Sequence, residues 1–239
     1  MYDPVETDIS QDYLYKLTEK LAGIKFAVIG GWGVYFHVSR EYQRAFGREY
    51  LKSRDIDVFV NAKDEEKFLE IVKKLGFEES AYYFRYELIY DREEKKIVPQ
   101  EEAKKRHIFN LIYIFLDVFS NKKTEKLGAW VLEGLKKAKI ETIGKYPVLD
   151  VNSLLNLKVT SFFEREKLDK ELKDACDIYA LLVYSGKKFK LNKQIKKAIE
   201  KIISRADLQN YIAENVLGDG SRASLVANVM KKLPENNGR

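Results

Sequence analysis

Cysteine is almost absent: the 239-residue chain has one, Cys176. An internal disulfide and a cysteine-built zinc site are both excluded. Histidine is nearly as scarce, and His37 and His107 are too few for a histidine-built metal centre. No apolar run is long enough to cross a bilayer. The opening stretch MYDPVETDIS is acidic and lacks the basic-then-apolar order of a secretion signal. No Gly-x-x-x-x-Gly-Lys-Ser/Thr phosphate loop, Gly-x-Ser-x-Gly elbow or His-Glu-x-x-His zinc helix occurs. These absences point to a cytoplasmic protein with no membrane partner.

What remains is core-forming: 45% of residues are hydrophobic and 33% charged, enough for one large or two small domains. The net charge of +6 is unevenly placed. Residues 152–239 carry 17 Lys/Arg against 11 Asp/Glu, while the rest of the chain carries 26 of each. Such asymmetry fits a surface for nucleic acid or polyphosphate, or a lysine-rich solvated helical face.

The stretch Ala27–Val60 organises the chain. Gly30-Gly31 ends a short apolar run, an amphipathic segment follows, and Asp55-Ile56-Asp57 opens a second apolar run. Side chains alternate along a strand, so Asp55 and Asp57 point the same way, about 7 Å apart. Two like charges this close call for a cation, and carboxylate oxygens suit Mg²⁺. Glycines at a strand-to-helix turn let backbone N–H groups approach a phosphate at the positive end of a helix. Alone, a diglycine is usually a turn and Asp-x-Asp a solvated strand edge. Together, in this order, they read as a nucleotide–Mg²⁺ site.

These residues resemble the nucleotidyltransferase superfamily, with its DNA polymerase β-like fold. The pattern there is Gly-Gly/Ser, a helix, then a basic or hydroxyl residue before Asp-x-Asp. Here it reads Gly30-Gly31-Trp32 and Ser53-Arg54-Asp55-Ile56-Asp57. The block is closer still to the abortive-infection (AbiEii-like) and small antibiotic-transferase branch, where a histidine often follows in the helix, as His37 does. The glycine usual after it is Val38 here.

Along the chain, helical spacing marks residues 9–22, closed by Gly23. Strands are expected at Phe26–Ile29 and Asp55–Val60, with a helix from about Trp32 to Arg44 between them. Arg54 is expected to face away from Asp55 if the strand has begun there. Asp64 should cap a helix through Leu75, and Tyr82–Tyr90 should be a strand. Asp91–Arg106, highly charged and containing Pro99, reads as a hairpin loop or flap. Ile108–Ser120 is the longest apolar strand, interrupted by Asp117, a carboxylate costly to bury unless paired or metal-bound. A helix near Thr124–Lys137, a strand at Ile140–Ile143 and a connector at Tyr146–Asp150 follow. Asn152 or Ser153 should cap the next helix. The division is set there: 1–150 as catalytic domain, 151–239 as helical domain.

The second block, NLKVTSFFEREKLDKELKDACDIYALL, carries the same resemblance in Lys158, Arg165, Lys173-Asp174 and Asp177. The seven residues from Lys158 to Arg165 are about two helical turns, which puts both cations on one face. Residues 187–205 and 206–233 read as further helices, the latter broken at Gly218-Asp219-Gly220. The expected fold is α+β: a nucleotidyltransferase-like mixed sheet flanked by helices, then a C-terminal helical bundle.

The resemblance implies transfer of a nucleoside monophosphate from an NTP to a hydroxyl acceptor. Asp55, Asp57 and Asp117 would be catalytic and hold one or two Mg²⁺. Gly30, Gly31, Ser53, Lys158 and Arg165 would bind nucleotide, ATP among the candidates, with Asp174 in support. A small molecule, a protein hydroxyl or a tRNA end would be the acceptor. A toxin-type enzyme with an antitoxin-like protein partner belongs to the same resemblance. The rival expectation is a non-catalytic RNA- or partner-binding protein that retains the fold.

Overall fold

Alternation in LIYIFLDVFS builds the longest strand, β6 (Leu111–Ser120). Ile112, Ile114, Leu116 and Val118 are buried on one face. Tyr113, Phe115, Asp117 and Phe119 therefore share the other. Strand β2 (Ile56–Val60) repeats the pattern, with Ile56, Val58 and Val60 fully buried. The two strands run parallel in the register Asp57↔Asp117 and Phe59↔Phe119. Both aspartates thus stand side by side on the less buried face.

This computed structural model describes residues 2–121, 138–164 and 166–236. The helix expected near Thr124–Lys137 lies outside them, as does Arg165. The chain forms two compact units: Tyr2–Gly33 with Lys52–Leu149, and Val34–Leu51 with Asp150–Arg239.

The first unit is an α+β sheet layer. Its other strands are β1 (Phe26–Val28), β3 (Glu78–Glu79), β4 (Arg85–Asp91), β5 (Lys96–Val98), β7 (Ile140–Ile143) and β8 (Tyr146–Leu149). The order is β3-β4-β6-β2-β1-β8-β7, with β5 paired to β4. The sheet is mixed: β2/β6 and β1/β8 are parallel, and the remaining pairs antiparallel. Helices α1 (Pro4–Lys20) and α3 (Glu65–Lys74) contribute the fully buried Leu14, Leu17, Phe68 and Val72. The Phe68 ring meets that of Phe26 at 5.8 Å, and Phe26 pairs with Val60 on the apolar face. Burying each such side chain contributes about 1.5–3 kcal/mol.

Several boundaries differ from the sequence expectation. Helix α1 starts at Pro4, where Asp3 accepts the Val5 N–H at 2.9 Å and proline fits the first turn. Asp64 holds the N-cap position of α3 without a side-chain bond, and acids first and lysines last match the helix dipole instead. Strand β4 starts only at Arg85. The 91–106 segment is a hairpin into β5 followed by a short helix, α4 (Gln100–Ala103). Asp91 accepts the Glu93 and Glu94 N–H groups and pairs with Arg106, which fixes that turn. Tyr146–Leu149 is a strand rather than a connector. Four residues including Pro147 show no alternation, and the pairings that define β8 lie on β7 and, at Val28↔Val148, on β1.

The second unit is helical. It comprises the Val34–Phe46 part of helix α2 (Gly30–Phe46) with α5 (Val151–Glu164), α6 (Leu168–Tyr184), α7 (Lys193–Ser204), α8 (Ala206–Ile212) and α9 (Ala223–Asn236). Asp150 caps α5 in place of Asn152 or Ser153, accepting the Ser153 N–H at 3.1 Å. Aromatic rings fill the centre: Tyr42 meets Phe46 at 4.7 Å, Tyr50 at 5.2 Å and Tyr184 at 5.5 Å.

Candidate active site

Three strands place one charged residue each in a single row. Asp57 on β2 pairs with Asp117 on β6, and Asp117 pairs with Arg85 on β4. In-register partners share a face of the sheet, so the row is set by backbone pairing. Arg85 grips Asp117 with two bonds, Nε to Oδ1 at 2.6 Å and Nη2 to Oδ2 at 2.7 Å. Asp117 is only 6% exposed, and a carboxylate so buried needs a charge partner. The bond to Asp117, followed by the charges of Asp117, Asp55 and Asp57, raises the already high pKa of Arg85 against the opposing effect of burial. One guanidinium thus feels all three carboxylates.

Gly30 explains the turn. Its φ is +62°, and a Cβ there would stand 1.9 Å from Asp57 Oδ2. Any larger residue would both strain the backbone and displace the carboxylate. The Ile29 N–H donates to the Asp57 carbonyl at 2.9 Å, closing strand to strand just before the turn. Gly31 follows in the first turn of α2, and Trp32 is fully buried with its indole N–H donating to Ser10 Oγ at 2.9 Å.

Asp55 precedes the first residue of β2, so strand alternation does not yet apply there. Arg54 turns to its neighbour, with Nε 3.2 Å from Asp55 Oδ1; the opposite orientation is expected only if the strand has begun there, and it begins at Ile56. Its guanidinium lies 5.9 Å from the Phe115 ring, and that of Arg85 lies 4.6 Å from it. Ser53 is buried beside this pair in sequence.

The helical unit holds its own charge cluster. Lys158 Nζ lies 3.3 Å from Asp174 Oδ1 and 2.6 Å from Asp177 Oδ2. The second approach is close but not aligned as a hydrogen bond. The Tyr50 hydroxyl donates to Asp177 Oδ1 at 3.3 Å, and burial, then the Asp177 charge, pushes that phenol well above its ordinary pKa. The expected Lys158–Asp174 pair is therefore present, shared with Asp177. His37 is buried on α2.

Asp55, Asp57 and Asp117 are hard oxygen donors of the type Mg²⁺ takes, and Gly30 leaves the Asp57 carboxylate its space. Their chemistry fits the metal. Among the described residues no three His, Cys, Asp or Glu side chains are grouped to hold an ion as they stand. Two of the three carboxylates are paired with arginines instead. Sequence reasoning found the acids and missed Arg85, whose signal was a lone cation inside the aromatic run YYFRYELIY.

No protein-family model and no curated protein matches the chain. Among solved structures it is similar to JHP933 from Helicobacter pylori, at 10% identity and a TM-score of 0.52, with 99% of this chain and 96% of that chain covered. Looser likenesses link it to an antigenic nucleotidyltransferase-like protein from Paracoccidioides brasiliensis, at 15% identity and a TM-score of 0.48, covering 87% of this chain and 94% of that one. The lincosamide antibiotic adenylyltransferase LnuA, bound to lincomycin, gives 14% identity and a TM-score of 0.39, with 73% and 96% covered. At 10% identity the property shared with JHP933 is the fold.

Proposed function

We propose that the chain is a nucleotidyltransferase, moving a nucleoside monophosphate from an NTP to a hydroxyl acceptor and releasing pyrophosphate. The observation that carries this reading is the pairing of Asp57 with Asp117, side by side on one sheet face, with Asp57 seated against the Gly30 turn. In the reaction the acceptor oxygen bonds to the α-phosphorus, the bond to the pyrophosphate oxygen breaks, and the acceptor proton goes to a carboxylate. Asp117 is the residue assigned that proton. Asp55 and Asp57 are assigned one Mg²⁺, and Asp117 shares a second. Bound Mg²⁺ supplies charge neutralisation for the triphosphate and a template for in-line attack. Gly30 and Gly31 offer backbone amides to phosphate, while Ser53, Lys158, Arg165 and Asp174 enter from the sequence resemblance alone.

The acceptor is a small hydroxylated molecule, a protein hydroxyl or an RNA end. The AbiEii-like resemblance favours a toxin- or defence-type enzyme with an antitoxin-like partner. The test incubates the protein with labelled NTPs, Mg²⁺ and representatives of each acceptor class. Transfer should disappear in the Asp55→Ala/Asp57→Ala variant, and its persistence there would overturn the assignment.

One observation favours a second reading, a non-catalytic RNA- or partner-binding protein on the same fold. Arg54 pairs with Asp55 and Arg85 with Asp117, so the protein's own cations balance carboxylate charge at the site. Calorimetry separates the two readings: uptake of Mg²⁺ and NTP supports the enzyme, and neither binding supports the alternative.

A further inference from the structure

Arg85 has no part in the reaction above, yet it makes the shortest pair at the site. We propose that Arg85 is the built-in counter-ion of Asp117. It lets the site take one divalent cation at Asp55 and Asp57 and opens a second position only on releasing Asp117. This rests on the metal reading of the three carboxylates.

Three features support it. First, the register Arg85↔Asp117 puts the guanidinium beside the carboxylate through the backbone, and the two-bond grip at 2.6 and 2.7 Å engages both oxygens. A cation seeking Asp117 as a ligand meets a carboxylate already in use. Second, the other pair is weaker. Arg54 touches Asp55 through one atom at 3.2 Å, and their side chains are 34% and 28% exposed, conditions under which an ion pair adds little. Asp55 is therefore easily surrendered to a metal, and Asp117 is not. Third, Arg85 has somewhere to go. Its guanidinium already lies 4.6 Å from the Phe115 ring, 5.7 Å from Tyr82 and 6.0 Å from Phe84. Tyr82 is 60% exposed, so stacking on these rings keeps the cation's attraction to an aromatic face after release. A polyphosphate is the competing anion that draws the guanidinium from Asp117. The second cation then enters with the nucleotide.

Mn²⁺ binding to the full chain, followed by electron paramagnetic resonance without nucleotide, tests this. The wild type should take up one Mn²⁺ tightly. Arg85→Gln should take up two, the second with a Kd lower by about tenfold or more than in wild type, since a buried carboxylate that has lost its two-bond guanidinium partner favours a cation. Arg85→Gln/Asp117→Asn should return to one. Thermal melting adds a readout free of turnover: Mn²⁺ should raise the Tm of Arg85→Gln by more than that of wild type. If Arg85→Gln does not fold, Arg85→Lys, which keeps the charge but loses the two-bond grip, should show intermediate affinity for the second ion. Equal affinity for the second ion in wild type and Arg85 variants would overturn the counter-ion role while leaving the metal site standing. No Mn²⁺ uptake by any variant would instead remove the metal reading, and this proposal with it.

Discussion

The two units each hold a cluster of acids paired with basic side chains, and the clusters differ in their depth from solvent. In the sheet unit, Arg85 grips Asp117 and Arg54 touches Asp55 on the less buried sheet face, with Asp57 beside Asp117 in the strand register and exposed Tyr82 near Arg85. In the helical unit, Asp174 and Asp177 close on Lys158, whose side chain is 12% exposed, with the Tyr50 hydroxyl completing the set. The first cluster is partly open to solvent, its Arg54 and Asp55 side chains being 34% and 28% exposed. The second has its lysine engaged twice inside a helix pair. Charge near solvent can exchange its partner for a ligand, whereas charge in a closed core loses its partner only at a large cost in stability.

Asp57→Asn offers the largest effect. Transfer should fall by about a thousandfold or more, because the group that positions the reacting phosphate is gone, while the melting temperature stays close to wild type. Lys158→Met should do the opposite and destabilise the fold by about 3–5 kcal/mol in a urea titration, leaving two buried carboxylates without their cation. A Lys158→Met protein that melts normally but has lost transfer would break the comparison and leave the lysine only the nucleotide-binding role that the resemblance implies. Gly30→Ala sharpens the sheet side. A positive φ and a collision with Asp57 should cost about 1–3 kcal/mol and weaken Mn²⁺ binding.

Asp91 gives a smaller, pH-dependent effect. The Glu94 N–H first, then Arg106 and the Glu93 N–H, hold its carboxyl below the usual aspartate value of 3.8. A lowered folded-state pKa gives stability above 3.8 that is lost as pH falls through the folded value. Asp91→Asn should accordingly flatten the acid limb of melting temperature against pH. The least effect is expected at Cys176. Burial first, then the Asp177 charge, raises its thiol pKa well above the ordinary value. A thiol reagent should leave it untouched until denaturant opens the helical unit.

The acids were legible because each breaks a local pattern: Asp55 and Asp57 open an apolar run, and Asp117 interrupts one. Strands β2 and β6 were legible for the same reason, through alternation over five and ten residues. Arg85 was not, since its meaning depends on which residue of β6 stands opposite, a pairing between positions 32 apart in sequence. The direction of Arg54 hung on where β2 begins, which is one residue past Asp55. Strand β8 was hidden by its length, its proline and a partner on β1 far up the chain. Local pattern reveals which residues are unusual, and register decides what they meet.

The bridge Val28↔Val148 has a consequence for synthesis. Strand β1, with all three residues buried, gains its second neighbour only after position 148 has left the ribosome. Until then one edge of the nascent sheet stays open to any passing extended segment, and distant pairings of this sort close slowly. Assembly of the sheet thus ends when the β7–β8 hairpin docks on β1.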